Sequence, residues 1–524
     1  MMKNTPWIPF LMAVMLAAGV YIGVKVGQRV PHILGSDEAP SKVQNKLDEV
    51  MRYVNARYME DVNQDQLFGS TIDELLAKLD PHSAYITADE LQSVNENMEG
   101  DFEGVGIEYM MSADTVNVVS TISGGPSEQA GVLAGDKLVM IEDSTVAGVK
   151  ITPQKLLKKL RGAKGTQVHL AVKRGVQKID FTVTRDEIPN RSVDAGFMLN
   201  EKTGYIKVNR FSEKTYKEFM EKLDPMVEKQ GMKDLVIDLR GNPGGYLQKA
   251  VDILNQFFKE RDKMLVYTKG LNSPKSEYKT NGKPFYQIGK ISVLIDETSA
   301  SASEIVAGAL QDWDRATIIG RRSYGKGLVQ EQYPLSDGSA LRLTVAQYFV
   351  PSGRCIQKPY KGNKDYENDL ELRIKNGDLL DAEKNKGQDT SKYYTLGGKL
   401  VHGGGGITPD IFVPIDPFVH DEYFAKIRNN INTFALLYAT EHKSEFSSDE
   451  NTYIKTPFSD KIFDVFVNST EVKGVKKDLK KLKENKVFLA NFLKARIGKS
   501  LFNDETQYKI FIENDKMIER ALNG

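Results

Sequence analysis

Residues 291–304 read Ile-Ser-Val-Leu-Ile-Asp-Glu-Thr-Ser-Ala-Ser-Ala-Ser-Glu, and an apolar stretch at helical spacing follows from Ile305. Ile291 to Ile295 reads as a strand and residues 302–312 as a helix, which puts Ser301 at the joint between them. The same pattern repeats on either side. Tyr205–Asn209, Leu235–Leu239, Met264–Tyr267 and Thr317–Ile319 read as strands, with helical stretches near 213–229 and 246–258. Alternation of this kind means an α/β core, running from about Gly204 to Pro414. A hairpin follows, turning at Asp337-Gly338 between Val329–Leu335 and Ala340–Phe349.

Outside this core the character of the chain changes. Residues 41–98 read as helices: Leu47, Val50, Met51 and Val54 form one apolar stripe, and Leu67, Ile72, Leu75, Leu76 and Leu79 a second that stops at Asp80-Pro81. Residues 103–187 carry short β-type runs (Val116–Thr121, Lys137–Ile141, Val168–Val172, Ile179–Val183) between glycine turns, with one helical stretch, Pro153–Leu160. The expected segments are 1–35, a membrane-targeting segment; 36–99, helical; 100–188, a β-rich domain; 189–415, the α/β core; and 416–524, helical and without a recognised motif. Lys361–Lys392 is polar, charged and without periodicity, and reads as a surface loop.

The 524 residues hold 71 basic and 71 acidic side chains, so no bulk positive charge favours nucleic acid, and the chain is not of disordered composition. Trp7 to Val24 carries no charge, long enough to cross most of a bilayer core of about 30 Å. No Ala-x-Ala site follows it, only Lys25, Val26, Gly27, Gln28 and Arg29, so the expectation is an uncleaved signal anchor with the rest of the chain outside the cytoplasm, periplasmic in a Gram-negative cell. The single cysteine, Cys355, allows no internal disulfide and lies too late for a lipid anchor.

A serine hydroxyl at a helix N-terminus sits where the helix dipole stabilises an alkoxide. Ser301 with Glu304 is equally a capping box, and that pattern alone is structural. Lys326 supplies a partner: it lies in the turn Tyr324-Gly325-Lys326-Gly327, where desolvation can lower its pKa until it serves as a general base. The turn Leu239-Arg240-Gly241-Asn242-Pro243-Gly244-Gly245 exposes backbone amides at the carboxyl edge of the expected sheet, and with the amide of Ala302 can form an oxyanion hole. There is no Gly-x-Ser-x-Gly elbow, and the six histidines show no metal spacing. His82, after Asp80-Pro81, and His402, before Gly403–Gly406, read as structural.

Thr298–Glu304, Gly325–Gly327, Leu239–Gly245, Leu79-Asp80-Pro81-His82-Ser83 and Gly403–Asp410 together resemble the carboxy-terminal processing (tail-specific) serine peptidases, and they occur along the chain in that family's order. The resemblance implies a ClpP/crotonase-like α/β core with an inserted-type PDZ domain, Ser301 as nucleophile, Lys326 as base, and Gln330 as the amide that holds the lysine. Gly244 or Gly245 with Ala302 would form the oxyanion hole, and Asp312, where some members carry an acid, would be structural. Phe102-Glu103-Gly104-Val105-Gly106-Ile107 is similar to a PDZ carboxylate-binding loop, so Gly104, Val105, Gly106 and Ile107 are expected to receive the free, apolar C-terminus of a protein or peptide. No metal or cofactor is implied, nor nucleic acid as partner; a homo-oligomer is left open. The competing readings are an inactive PDZ scaffold that only holds C-termini, and an anchored signalling receptor.

Overall fold

Ile291–Ile295 is the fourth strand of a six-stranded sheet whose order is Val193–Met198, Thr203–Val208, Asp234–Asp238, Ile291–Ile295, Thr317–Gly320, Ile411–Phe412. The first pair is antiparallel and the others parallel. The central strands are apolar on both faces because both faces are covered. Ile206, Val208, Leu235, Ile237, Val293, Ile295 and Ile318 pack with Phe219, Leu254, Ile305 and Leu310 of the helices Thr215–Glu228, Leu247–Leu254 and Ala302–Asp312. The alternating residues Tyr205, Val236, Leu294 and Ile319 face the other way and pack with Met517 and Ile518 of the helix Lys516–Asn523.

This computed structural model describes residues 42–112, 114–122, 124–360, 366–386, 391–472 and 475–523. The expected anchor, residues 1–35, lies outside them, and among the described residues no helix is long and apolar enough to cross a membrane. The chain divides into two compact units, residues 1–72 and 73–524. The described part of the first holds the helix Lys42–Arg57 and the start of Gln64–Ala77. The helix falls where the stripe Leu47, Val50, Met51 and Val54 put it, but Leu47 and Val50 are exposed.

Within the second unit, a second sheet of five strands holds Ala84–Ile86, Ala340–Phe349, Arg261–Lys269 and Ser276–Asn281 in that order, with Leu328–Pro334 also paired to Ala340–Phe349. The β-rich module forms an antiparallel sheet of Ile107–Ser112, Thr115–Thr121, Lys137–Ile141, Gln167–Arg174 and Gln177–Thr184, onto which the helix Pro153–Leu160 packs Leu156 and Leu160. Its entry strand Asp101–Gly104 pairs antiparallel with its exit strand Asp186–Pro189, so the module is joined to the rest through a two-stranded ribbon. The described residues from 417 to 523 form a series of helices around an aromatic core that includes Phe424, Phe434 and Phe466.

Two expectations need correction. The segment 36–99 is not wholly helical: Ala84–Ile86 is an edge strand paired with Ala340–Arg342, a pairing too short to leave a periodicity signal. The polar segment 361–392 is not simply a loop either, since Asp369–Asn376 is a helix that buries Arg373, whose guanidinium donates to the carbonyls of Arg322 (2.6 Å) and Ser323 (3.2 Å). A helix held by buried hydrogen bonds rather than by an apolar face shows no hydrophobic period. Residues 361–365 and 387–390 of that segment lie outside the described residues.

Phe466 is fully buried at the centre of the C-terminal aromatic cluster. Phe466→Ala should therefore destabilise that region by about 3–5 kcal/mol, seen as a lowered denaturant midpoint for the full chain.

Candidate active site

Ser301 caps the helix Ala302–Asp312 with φ +55°, ψ −115°, a backbone conformation that side chains seldom adopt. The turn before it is fixed by short-range bonds. Asp296 Oδ1 accepts from the amides of Thr298 (3.0 Å) and Ser299 (3.1 Å), and the Ser299 hydroxyl donates to the carbonyl of Leu239 (2.8 Å). The chain thus leaves the strand edge, reverses, and delivers Ser301 to the start of a helix every residue of which is buried.

The group that gathers the site is the carboxylate of Glu304, wholly buried. It accepts from the Ser301 amide (2.8 Å), the Lys326 amide (2.9 Å), the Gly325 amide (2.7 Å) and the Ser323 hydroxyl (2.5 Å). Burial pushes its pKa up to about 7, against the lowering effect of those four donors. The spacing Ser-x-x-Glu pointed to a cap; that the same carboxylate also holds the lysine turn, 22 residues further on, has no signature in local sequence. Tyr348 adds a second tie that the sequence did not reveal, its hydroxyl lying 2.7 Å from the carbonyl of Lys326 and 3.1 Å from that of Ser301.

Lys326 is mostly enclosed, and its pKa is lowered by burial first and by the charge of Arg342 second. Its Nζ donates to Gln330 Oε1 at 2.9 Å. The Gln330 amide nitrogen donates in turn to the carbonyl of His82, which can only accept, so the amide oxygen must face the lysine. His82 is held by the Asp80 carboxylate, which accepts from the amides of His82 (2.8 Å) and Ser83 (2.9 Å) and the hydroxyls of Ser83 (2.6 Å) and Thr344 (2.9 Å). The His82 ring sits 2.8 Å from the Tyr366 hydroxyl, and burial followed by the nearby Lys326 charge lowers its pKa to about 4, so it is a neutral structural group. The motif Asp80–Ser83 thus acts through its backbone, as the support of Gln330.

The glycine turn lies against Ser301. A Cβ on Gly244, whose φ is +101°, would stand 2.6 Å from Ser301 Cβ and 2.9 Å from the Ala302 amide nitrogen. The turn is tied to the serine: the Asn242 carbonyl accepts from the Ala300 amide (3.0 Å) and the Ser303 hydroxyl (3.0 Å). The Gly244 amide is taken by Asn242 Oδ1 at 2.8 Å. Gly245 makes a parallel bridge with Phe211 through its neighbours' groups, the Gly244 carbonyl and Tyr246 amide, so its own amide is not used there. Of the two glycines, Gly245 is the one left with an amide to offer beside that of Ala302.

The remaining expected residues lie in the β-rich module. Gly104 pairs with Asp186 in the ribbon, and Val105 is buried in the module's core. The carbonyls of Val105 and Gly106 accept from Ser127 (3.1 Å) and Ile122 (3.0 Å). A trans peptide points its N–H opposite its C=O, which directs the Gly106 and Ile107 amides away from residues 122–127. Ile107–Ser112 then runs as an edge strand, paired only with Thr115–Thr121 among the described residues. Asp312 is not with Ser301 and Lys326 but forms a fully buried ion pair with Arg354 (2.8 Å) and accepts from the Ser352 amide (2.9 Å). Among the described residues, no group of three or more His, Cys, Asp or Glu side chains is placed to hold a metal ion.

Residues 202–367 match peptidase family S41, residues 118–174 a PDZ domain, and residues 423–503 a family of unknown function. The chain is 33% identical over 356 residues to the carboxy-terminal processing protease CtpB of Bacillus subtilis, covering 65% of this chain and 72% of that protein. It is 31% identical over 359 residues to a probable CtpA-like serine protease of Staphylococcus aureus, covering 68% and 71%. To the corresponding protein of Staphylococcus epidermidis it is 34% identical over 314 residues, 59% of this chain but only 62% of that relative's length.

Removing Asp312 would leave Arg354 charged, buried and unpaired. Asp312→Ala should thus cost about 3–5 kcal/mol of stability, read by denaturant unfolding, whereas a group acting only in chemistry would leave the unfolding midpoint in place.

Proposed function

Because the chain belongs to the carboxy-terminal processing serine peptidases of family S41, we propose that Ser301 and Lys326 form its catalytic dyad and that it cleaves protein substrates selected by their C-termini. The observation that carries this reading is the enclosed lysine: its pKa is lowered by burial, its amine is aimed by Gln330, and its turn is bonded to the same Glu304 carboxylate as Ser301. A lysine with no other task would gain more from solvent than from such a site.

In the reaction, neutral Lys326 Nζ takes the proton of Ser301 Oγ as the oxygen bonds to the substrate carbonyl carbon. The negative charge that develops on the carbonyl oxygen is met by the amides of Ala302 and Gly245. Collapse breaks the peptide C–N bond, and the Lys326 ammonium returns its proton to the departing amine. Water then attacks the acyl ester, giving its proton to Lys326, and as the ester C–O bond breaks Lys326 passes that proton to Ser301 Oγ, which frees the carboxyl product and restores the neutral amine. Gln330 keeps the lysine in line through both halves. The reading includes a ClpP/crotonase-like core and no metal in the chemistry.

The PDZ domain supplies selection. The Gly106 and Ile107 amides and the edge strand Ile107–Ser112 suit a peptide that adds as an extra strand and ends in a free carboxylate. The uncharged run Trp7–Val24 supports an anchored enzyme acting outside the cytoplasm.

Ser301→Ala should abolish cleavage of a free-acid peptide with an apolar C-terminus; cleavage that survives in the variant would overturn Ser301 as nucleophile, and no cleavage by the parent protein would leave the inactive-scaffold reading in its place. Lys326→Arg should reduce kcat/KM by at least about a hundredfold, since guanidinium stays protonated at working pH. For the parent enzyme the base is the neutral amine, so activity should be low below the Lys326 pKa and climb as pH rises through it. That pKa lies under the ordinary lysine value, and a rate that falls with rising pH across the neutral range would contradict the assignment.

Amidating the substrate's C-terminus removes the charge that the Gly106 and Ile107 amides would accept. The cost should be about 1.5–3 kcal/mol, roughly ten- to a hundredfold in kcat/KM, measured on matched free-acid and amide peptides below saturation. Equal rates would mean that the domain does not read C-termini.

A further inference from the structure

The C-terminal helical region reaches the catalytic turn directly. The strand Asp234–Asp238 ends in a buried carboxylate, and two residues later Arg240 opens the turn that carries Gly244 and Gly245. Arg240 is held at every polar group. Its amide donates to Asp238 Oδ1 (2.9 Å), its carbonyl accepts from Lys207 Nζ, and its Nε and Nη2 donate to the Asp238 carboxylate (3.0 and 2.6 Å). The Tyr205 hydroxyl (2.8 Å) and Lys207 Nζ (3.4 Å) also donate to the Asp238 carboxylate. This leaves Nη1, which donates to Asp515 Oδ2 at 2.5 Å.

Asp515 has two tasks. Its Oδ1 accepts from the Met517 amide (2.8 Å) and so caps the helix Lys516–Asn523, whose Met517 and Ile518 cover one face of the core sheet. Its Oδ2 completes the charge balance beside the turn, where Lys207 and Arg240 are cations and Asp238 and Asp515 the carboxylates in contact with them. Burial opposes the charge of Arg240, yet Asp238 first and Asp515 next raise its pKa well above the usual value. Without Asp515 the cluster holds two cations against one carboxylate, partly buried, and the guanidinium is freed to turn. Arg240 stands two residues before Asn242, whose carbonyl is bonded to Ala300 and Ser303 on both sides of Ser301. Asp515 lies beyond residue 503 and outside each of the family matches.

We propose that Asp515 is a positioning residue for the reaction: acting through Arg240, it holds the turn Arg240–Gly245 where its free glycine amide meets the oxyanion, which makes the C-terminal helical region part of the catalytic apparatus. The inference rests on the reading of Ser301 as nucleophile and of Gly245 as an amide donor.

The test uses the full chain with a free-acid peptide. Asp515→Asn keeps an oxygen for the helix cap and removes only the charge, so kcat per folded molecule should fall tenfold or more while KM stays within twofold and the thermal midpoint changes little. Asp515→Ser, which also keeps a capping oxygen, makes the same comparison if the asparagine variant does not fold. Arg240→Lys should lower kcat too, and adding Asp515→Asn to it should cause no further loss, because both act through one contact. An unchanged kcat in a folded Asp515 variant, a rise in KM alone, or additive losses in the double variant would each overturn the proposal. Activity that survives Ser301→Ala would instead refute the reading beneath it, whatever Asp515 does.

Discussion

The buried carboxylate of Glu304 is the interaction on which the site depends. Enclosing an ionisable group in protein is costly unless donors replace its water. Four donors do so here, from Ser301, Ser323, Gly325 and Lys326. Because they come from two turns that share no local sequence, satisfying the carboxylate and assembling the serine next to the lysine are the same event. The strained backbone of Ser301 is tolerated on the same account, since its amide is bound by Glu304 and its carbonyl by the first turn of the helix and by Tyr348.

Around this centre each support is a backbone group held by a side chain from elsewhere. Asp80 shapes the chain so that the His82 carbonyl meets Gln330; Arg373 binds the carbonyls just before the lysine turn; Asn242 ties the glycine turn to the serine turn. The helix Asp369–Asn376 and the helix Lys516–Asn523 are therefore both extensions of the core, although neither resembles it in sequence pattern. The PDZ domain is attached differently, by the paired strands Asp101–Gly104 and Asp186–Pro189 at its entry and exit and by ion pairs such as Lys499 with Glu108 (3.0 Å). Such a ribbon fixes direction while leaving the domain few covalent restraints.

Much of the scaffold was legible in the amino-acid sequence. Ile291–Ile295, Pro153–Leu160 and the helix 302–312 fall where apolar runs and turn residues put them, because both periodicities report on burial and burial is what these elements do. The candidate residues Ser301, Lys326 and the glycine turn were legible as well, since a serine at a strand–helix joint and a lysine between glycines are local patterns with a chemical meaning. Gln330 and the PDZ loop were reached only through the likeness to a family, for a lone glutamine or a Gly-Val-Gly-Ile turn carries little meaning by itself.

What the tertiary structure alone decided are the contacts between distant segments: Glu304 with the lysine turn, Tyr348 with two carbonyls, Arg373 with the carbonyls of Arg322 and Ser323, and Asp515 on Arg240. Each joins one polar atom to another tens or hundreds of residues away. Hydrophobic period averages over many residues and survives in one dimension, whereas a single hydrogen bond depends on distance and angle in three, so the sequence determined the layers and the candidate side chains, and only the folded chain determined how they are held.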